Sequence, residues 1–418
     1  NGTVPMSRLD NMVTRMVEPM LALGLVADAP DSTQQNTSVS VQSLAHFALA
    51  AEIAQKSLCM LKNKDSILPL KKKTSVAVFG NMYFRAGKGS GGVQYATVPS
   101  TQLYDACVLP RCNPNTAFLS QILVNNGFNV TVGHDNAQAG IQPFYFNATK
   151  AAEEAAAAEY AVVVVYAITG EGMDRKNLSL DDWQNEMVSV VAKANPRTIV
   201  VARCSGAFVM PWLDDVAAVL YQLIPGQAAG MGAASVIVGH TNPSGKLTVS
   251  FPTSMDETWL GTPLNPAQYP GTVRNNTWQE ADYSEGLEVG YKWYDSQSTY
   301  KPLFEFGFGL SFTTFSYSEL VCESSTVTFK LKNSGFVTGT EIVQLYIGFP
   351  TAAASPFKQL KGYARLEDLP PSSVTSVSLT ISADSLTVWS DEKHMFVSMP
   401  GTYTVFVGSS ATDIRLKG

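Results

Sequence analysis

The sequence predicts an open α/β sandwich, a mostly parallel sheet covered by helices, followed by a small all-β sandwich. Three observations predict it. Between Thr74 and Pro252, short apolar β-branched runs alternate with helical patterns, which is how a sheet covered on both faces reads. From Tyr317 onward, apolar and polar residues alternate with a period of two between turn signals. Between these regions lies a stretch rich in Pro, Gly, Asn, Trp and Tyr with little periodicity.

The elements follow in order. PMSRLDNMVTRMVEPMLALGLVAD is an amphipathic helix stopping near Gly24, and its apolar positions lack a partner in the neighbouring sequence. Residues 26–40 read as a linker, and a long helix is expected from Val39 to Leu61. The α/β domain is placed at 41–252. Its strands are SVAVFG (Ser75–Gly80), FNVTV (Phe128–Val132), AVVVVYA (Ala161–Ala167), RTIVVAR and AAVLYQLI. Its helices are TAFLSQILVNNG (Thr116–Gly127) with a glycine stop, ATKAAEEAAAAE (Ala148–Glu159), DDWQNEMVSVVAKA (Asp181–Ala194) and GQAAGMGAASVIVG. Asp181 or Asp182 is expected near the N-cap of the third, where a short carboxylate accepts from free backbone N–H groups. Residues 253–316 are irregular connecting structure ordered by their aromatics, and 317–418 form the antiparallel sandwich.

Composition narrows the function. At 418 residues the chain holds about two to four domains. Hydrophobic residues make up 45%, which excludes a disordered chain. Charged residues make up only 15%, so glycans are a candidate source of solubility. A net charge of −6 argues against a nucleic-acid partner. No apolar run approaches the roughly 20 residues of a membrane span. The chain begins at Asn1, not Met, without a visible signal peptide, which predicts a processed or truncated product. N-x-S/T sequons at Asn1, Asn36, Asn129, Asn147, Asn177 and Asn275 point to the secretory pathway. Cys107 and Cys112 are placed to form a local disulfide, whereas Cys59 and Cys204 read as buried thiols. The four histidines are scattered, so neither a metal nor another cofactor is expected.

Three stretches could carry chemistry. GKGSGG (Gly87–Gly92) matches a dinucleotide fingerprint, but it neither follows a strand directly nor opens a helix. Its other readings are a plain turn or a sugar-contacting loop in which Ser90 offers a hydroxyl. TGEGMDRKNLSL directly follows the buried strand at Ala161–Ala167 and sets Glu171 between two glycines. Such a carboxylate can project into a cleft, although on local sequence a solvated glutamate is the stronger reading. Asp174 and Arg175 either pair or tie this loop back. In YSEGLEVGYKWYD the aromatics read as packing between domains, with Glu285 the residue to test.

Several segments resemble the C-terminal part of a glycoside hydrolase family 3 enzyme of the β-glucosidase type. SLCMLKNKDSILPL is similar to the family's S-x-x-L-L-K-N-x-x-x-L-P-L segment. MPWLDDVAAVLYQLIPGQAAG, NPSGKLTVSFP, YSEGLEVGYKWYD and PLFEFGFGLSFTTFSYS resemble its signatures in the expected order. Two positions depart from it: Ala228 replaces an acidic residue, and GNMYFRA replaces a G-P-N segment.

The resemblance implies a fibronectin type III-like fold for the closing sandwich. It implies that residues 1–25 are the tail of an upstream (β/α)8 barrel, present as a missing domain or a cleaved chain that stays bound. That barrel would carry the aspartate nucleophile and most of the sugar pocket. The G-E-G-x-D-R match places the general acid/base on Glu171, and the glycine-serine loop places a substrate contact on Ser90. The implied function is a secreted, exo-acting, retaining β-glucosidase acting on oligo- or disaccharide β-glycosides, in an extracellular, vacuolar or lysosomal setting. The alternatives are a β-xylosidase or other β-glycosidase of the same family and, from another class, a non-catalytic carbohydrate-binding or scaffold protein.

Overall fold

The computed structural model describes residues 3–25, 43–70, 74–80, 119–133, 146–167, 175, 177–180, 183–258, 265–274 and 278–418. The chain divides into two units, Asn1–Phe47 and Ala48–Gly418. The first contains helix α1 (Met6–Ala22), which buries none of its residues and carries Pro19 within it. Gly24 follows at φ +72°, a backbone setting that favours glycine and ends the helix where the sequence places its stop.

Helix α2 (Leu44–Lys56) leads into the second unit. It ends earlier than its apolar pattern predicts. The remainder of the expected helix is strand β1 (Cys59–Asn63), paired antiparallel with β6 (Ala218–Gln222). Leu58, Cys59, Met60 and Leu61 are all buried. A short apolar run covered on both faces does not reveal its period, so it fits helix and strand alike.

The other strands of this sheet are β2 (Ser75–Phe79), β3 (Asn129–Val132), β4 (Tyr160–Tyr166) and β5 (Thr198–Arg203). The order is β1-β6-β5-β4-β2-β3, with every pair except β1–β6 parallel. Helices α3 (Leu119–Asn125) and α6 (Ala229–Ile237) cover one face through Leu119, Leu123, Ala233 and Ile237. Helices α4 (Ala148–Ala157) and α5 (Gln184–Ala194) cover the other through Ala151, Ala155, Met187 and Val191. The N-cap of α5 is Trp183, with no side-chain cap, so the described helix starts after the aspartates expected there; Asp181 and Asp182 lie outside the described residues. Asn147 does cap α4, accepting from the Lys150 N–H at 3.0 Å.

The connecting region contains one short hairpin, β7 (Thr272–Arg274) with β8 (Trp278–Glu280), and helix α7 (Tyr291–Ser296). Its aromatics order it. Tyr291 stacks on Phe306 with centroids 4.8 Å apart, and Trp293 stacks on Tyr300 at 5.7 Å.

The sandwich follows. One sheet holds β13 (Val374–Thr380), β10 (Thr326–Asn333) and β9 (Phe315–Glu323). The other holds β12 (Gln359–Leu369), β11 (Gly339–Gly348), β16 (Thr404–Gly408) and β17 (Ile414–Lys417). A separate hairpin joins β14 (Thr387–Ser390) to β15 (Met395–Ser398). Val327, Phe329 and Leu331 of β10 share a core with Val343, Leu345 and Ile347 of β11. Strand β11 is also covered on its other face, where Tyr346 joins Tyr291 and Phe306.

Candidate active site

The order of the sheet points to one location. The chain passes from β2 to β3 on one side, then crosses to β4 on the other side of β2. Where the direction reverses, open α/β sheets leave a crevice beyond the carboxyl ends of their strands, and ligands bind there. The segment containing Ser90 follows β2, and the segment containing Glu171 follows β4. These two strands are hydrogen-bonded neighbours, with Phe79 beside Val163. Ser90 and Glu171 themselves lie outside the described residues, as do Cys107, Cys112, Asn1, Asn36 and Asn275.

Gly80, directly after β2, has φ +65°, and a Cβ there would lie 2.0 Å from the Val164 carbonyl oxygen. Only glycine lets the chain leave β2 this close to β4.

The segment carrying Glu171 is tied at both ends. At its start, the Tyr166 N–H donates to Gln184 Oε1 at 2.8 Å, and Gln184 Nε2 donates to the Tyr166 carbonyl at 2.9 Å. This buried side chain continues the ladder of β4 by one step, using a residue from α5. At the other end, the Arg175 guanidinium donates to the carbonyls of Ala207 at 2.8 Å and Ser179 at 3.0 Å. The Arg175 carbonyl accepts from the Tyr269 hydroxyl. Arg175 therefore ties the loop back, while Asp174 lies outside the described residues. Beyond it, Val209 N–H donates to the Leu178 carbonyl at 2.9 Å, and Trp212 Nε1 donates to Asn185 Oδ1 at 2.8 Å. Neither Gln184 nor Tyr269 stands out in the sequence, because each partner is distant along the chain.

Next to β4, strand β5 ends in Arg203, whose Nε donates to Gln222 Oε1 at 3.3 Å. Burial draws its pKa down to about 10. The Cys59 thiol is pushed up to about 12 by burial, so it holds its proton and is a poor nucleophile. Among the described residues, no three His, Cys, Asp or Glu side chains converge on a metal position. No helix among them is long and apolar enough to cross a membrane.

The aromatic stretch divides. Tyr294 is buried and donates to the Glu257 carbonyl at 3.0 Å, and Tyr291 sits against Tyr346 of the sandwich. Those rings are packing. Tyr283, by contrast, is 79% exposed. Glu285 accepts from Gln268 Nε2 at 2.7 Å. The three sequon asparagines among the described residues, Asn129, Asn147 and Asn177, are exposed.

Known proteins add to this geometry. Residues 58–312 match the glycosyl hydrolase family 3 C-terminal domain, and 341–411 match a fibronectin type III-like domain. A probable β-glucosidase L from Emericella nidulans is 32% identical over the whole chain, which spans 59% of that relative. A thermostable β-glucosidase B from Acetivibrio thermocellus is 30% identical over 98% of the chain, which spans 52% of that relative. Among solved structures, a β-D-glucoside glucohydrolase from Trichoderma reesei superposes with a TM-score of 0.77 at 28% identity, covering 99% of this chain and 60% of its own. A β-glucosidase from Thermotoga neapolitana, solved in complex with glucose, superposes with a TM-score of 0.71 at 26% identity, covering 90% of this chain and 53% of its own. The chain thus spans a little over half the length of these relatives. With its α/β domain and its sandwich both matched, the chain belongs to glycoside hydrolase family 3.

Proposed function

We propose that this chain supplies the proton-transfer half of a retaining, exo-acting β-glucosidase, with Glu171 as general acid/base and Ser90 as a substrate contact. One observation carries the reading. Strand β4, which the Glu171 segment follows, is paired with β2, which the Ser90 segment follows, at the reversal point of the sheet, and the described residues flanking the Glu171 segment are held, Tyr166 by Gln184 and Arg175 by Ala207 and Ser179. A general acid must reach the leaving oxygen at hydrogen-bond distance, and anchored flanks at Tyr166 and Arg175 favour such positioning. The β-glucosidase names of the relatives support the substrate class.

The aspartate nucleophile is assigned to an upstream barrel, of which α1 is the tail. Glu171 would protonate the departing glycosidic oxygen while the nucleophile attacks C1, then deprotonate the water that releases the sugar. The two carboxyl groups would stand about 5–5.5 Å apart, as retaining chemistry requires. The sequons support a secretory-pathway setting within this reading.

The test is Glu171→Gln in the full-length enzyme. Cellobiose hydrolysis should fall by about 10²–10⁴-fold. Aryl glucosides with good leaving groups should lose less in the first step, and azide should restore turnover of the glycosyl-enzyme. Wild-type rates on cellobiose would remove Glu171 from the role. Glycopeptide mapping of natural material that finds all six sequons bare would overturn the secretory assignment.

A further inference from the structure

A cleft of about 460 Å³ opens where the α/β domain, the connecting region and the sandwich meet. That volume lies within the roughly 300–1,000 Å³ of small-ligand sites, which favour such junctions. Its walls are fixed before any ligand arrives. The Leu247 N–H donates to the Phe308 carbonyl at 2.8 Å, and Ala411 N–H donates to the Phe306 carbonyl at 2.9 Å. A Cβ on Gly309 would lie 2.2 Å from the Gly245 carbonyl oxygen, so the backbones already touch.

Donors and acceptors in the walls can be followed atom by atom. Ser410 donates its hydroxyl to Glu305 Oε1 at 2.5 Å, and Ser409 donates to Asp413 Oδ2 at 2.6 Å. Arg415 takes both Asp413 oxygens through Nε and one terminal nitrogen. Tyr317 and Lys246 both address Glu341 Oε1, at 2.9 and 3.5 Å. Lys246 also donates to the Gly309 carbonyl at 2.9 Å. Glu305 Oε2 and Glu341 Oε2 then have no hydrogen-bond partner among the described residues, although the Glu341 side chain is only 5% exposed. On the donor side, one Lys246 proton and the second Arg415 terminal nitrogen are left over.

This pattern selects a ligand. An anion would face two open carboxylate oxygens. A simple ammonium would face the unused Lys246 and Arg415 donors. Adjacent hydroxyl groups, each able to donate and accept, satisfy both sets at once. The rings of Phe308, Phe315 and Tyr317 in the same walls offer apolar surface to the C–H faces of a pyranose.

We propose that this cleft is a binding site for a neutral saccharide of one or two hexose units, held by Glu305 and Glu341. The choice of saccharide rests on the β-glucosidase reading, since it makes β-glucosides the polyols the protein meets. The test treats the full-length enzyme with a 2-deoxy-2-fluoro-β-glucoside that traps the glycosyl-enzyme, then titrates cellobiose by calorimetry. One binding event should remain. Glu305→Gln turns an acceptor into a donor and should weaken the event by at least about tenfold. Thr314→Trp, at an exposed position of the wall, should abolish it without touching a buried charge. No titratable event, or one that neither substitution moves, overturns the site. Mass analysis of the treated enzyme judges the other reading separately. A labelled enzyme without the event sinks only the site. An enzyme that takes no label sinks the glycosidase reading, and the two substitutions still decide the cleft.

Discussion

Strand β4 buries six consecutive residues, Tyr160 to Val165, without a charge among them. The seam between the connecting region and the sandwich instead takes in Lys358, Asp295 and Gln344, whose side chains are almost wholly buried. Both regions exclude water, but for different reasons. An apolar side chain favours burial by itself, whatever lies opposite it. A buried charge is costly unless its partner stands at one distance and angle. The sheet therefore supplies stability, and the seam fixes where the sandwich sits.

The largest expected effect tests the seam. Lys358 approaches Asp295 Oδ1 at 2.5 Å, while Oδ2 is buried with no hydrogen-bond partner among the described residues. Burial already raises the Asp295 pKa, and Lys358 opposes that shift. Lys358→Met should cost about 3–5 kcal/mol in chemical unfolding, because it strands the carboxylate. Adding Asp295→Leu should recover most of the loss. A single substitution that costs nothing would mean the seam is not held by charge pairing.

Leu220→Ala tests the sheet. Leu220 is fully buried against α3 and α6, and its truncation should cost about 2–5 kcal/mol. Here no second substitution elsewhere should compensate, since no charged partner is left behind. Rescue by one polar change would blur the contrast between the two regions.

A smaller effect lies at the edge of the α/β domain. Asn147→Ala removes the cap of α4 and should cost about 1 kcal/mol, read from the unfolding midpoint. Asn147→Asp keeps the acceptor and should cost less. Equal losses from both would show that the cap hydrogen bond contributes nothing.

The smallest effect is on the surface. Glu367 is held down to about 2 by hydrogen bonding from Lys56 and then from Arg365. Its folded pKa lies below the ordinary glutamate value of 4.5. The stabilisation is therefore complete above about pH 4.5 and is lost as pH falls through about 2. Both side chains are over two-fifths exposed, so salt should screen it. The stability gap between the native protein and Glu367→Gln should narrow over that range at low salt and vanish in molar salt. A gap independent of both pH and salt would assign Glu367 to the seam.

The regions also differ in how far they could be read from sequence. The parallel strands and their helices are legible because their signals are local: a run of Val and Ala in β4, a glycine stop at Gly127. The strand at Cys59 is not, because burial on both faces erases its period. The seam is illegible for another reason. Lys358 meets Asp295, and Gln344 donates to the Gly307 carbonyl, across long stretches of chain that leave no local trace. The candidate site falls between the two. Glu171 alone reads as a solvated loop residue and gains its role through the family resemblance. The clasp from Gln184, and the tie from Tyr269 to Arg175, emerge only in three dimensions.

The Gln184 clasp also has a mechanical consequence. It belongs to the first turn of α5, whose Met187, Val188 and Val191 rest on the sheet. The start of the Glu171 loop is thus geared to a helix as well as to a strand. A sideways slip of α5 would carry the Tyr166 backbone with it through Gln184, as a lever moves a latch. If Glu171 has the proposed general acid/base role, repacking at Met187 would then alter proton transfer from a distance.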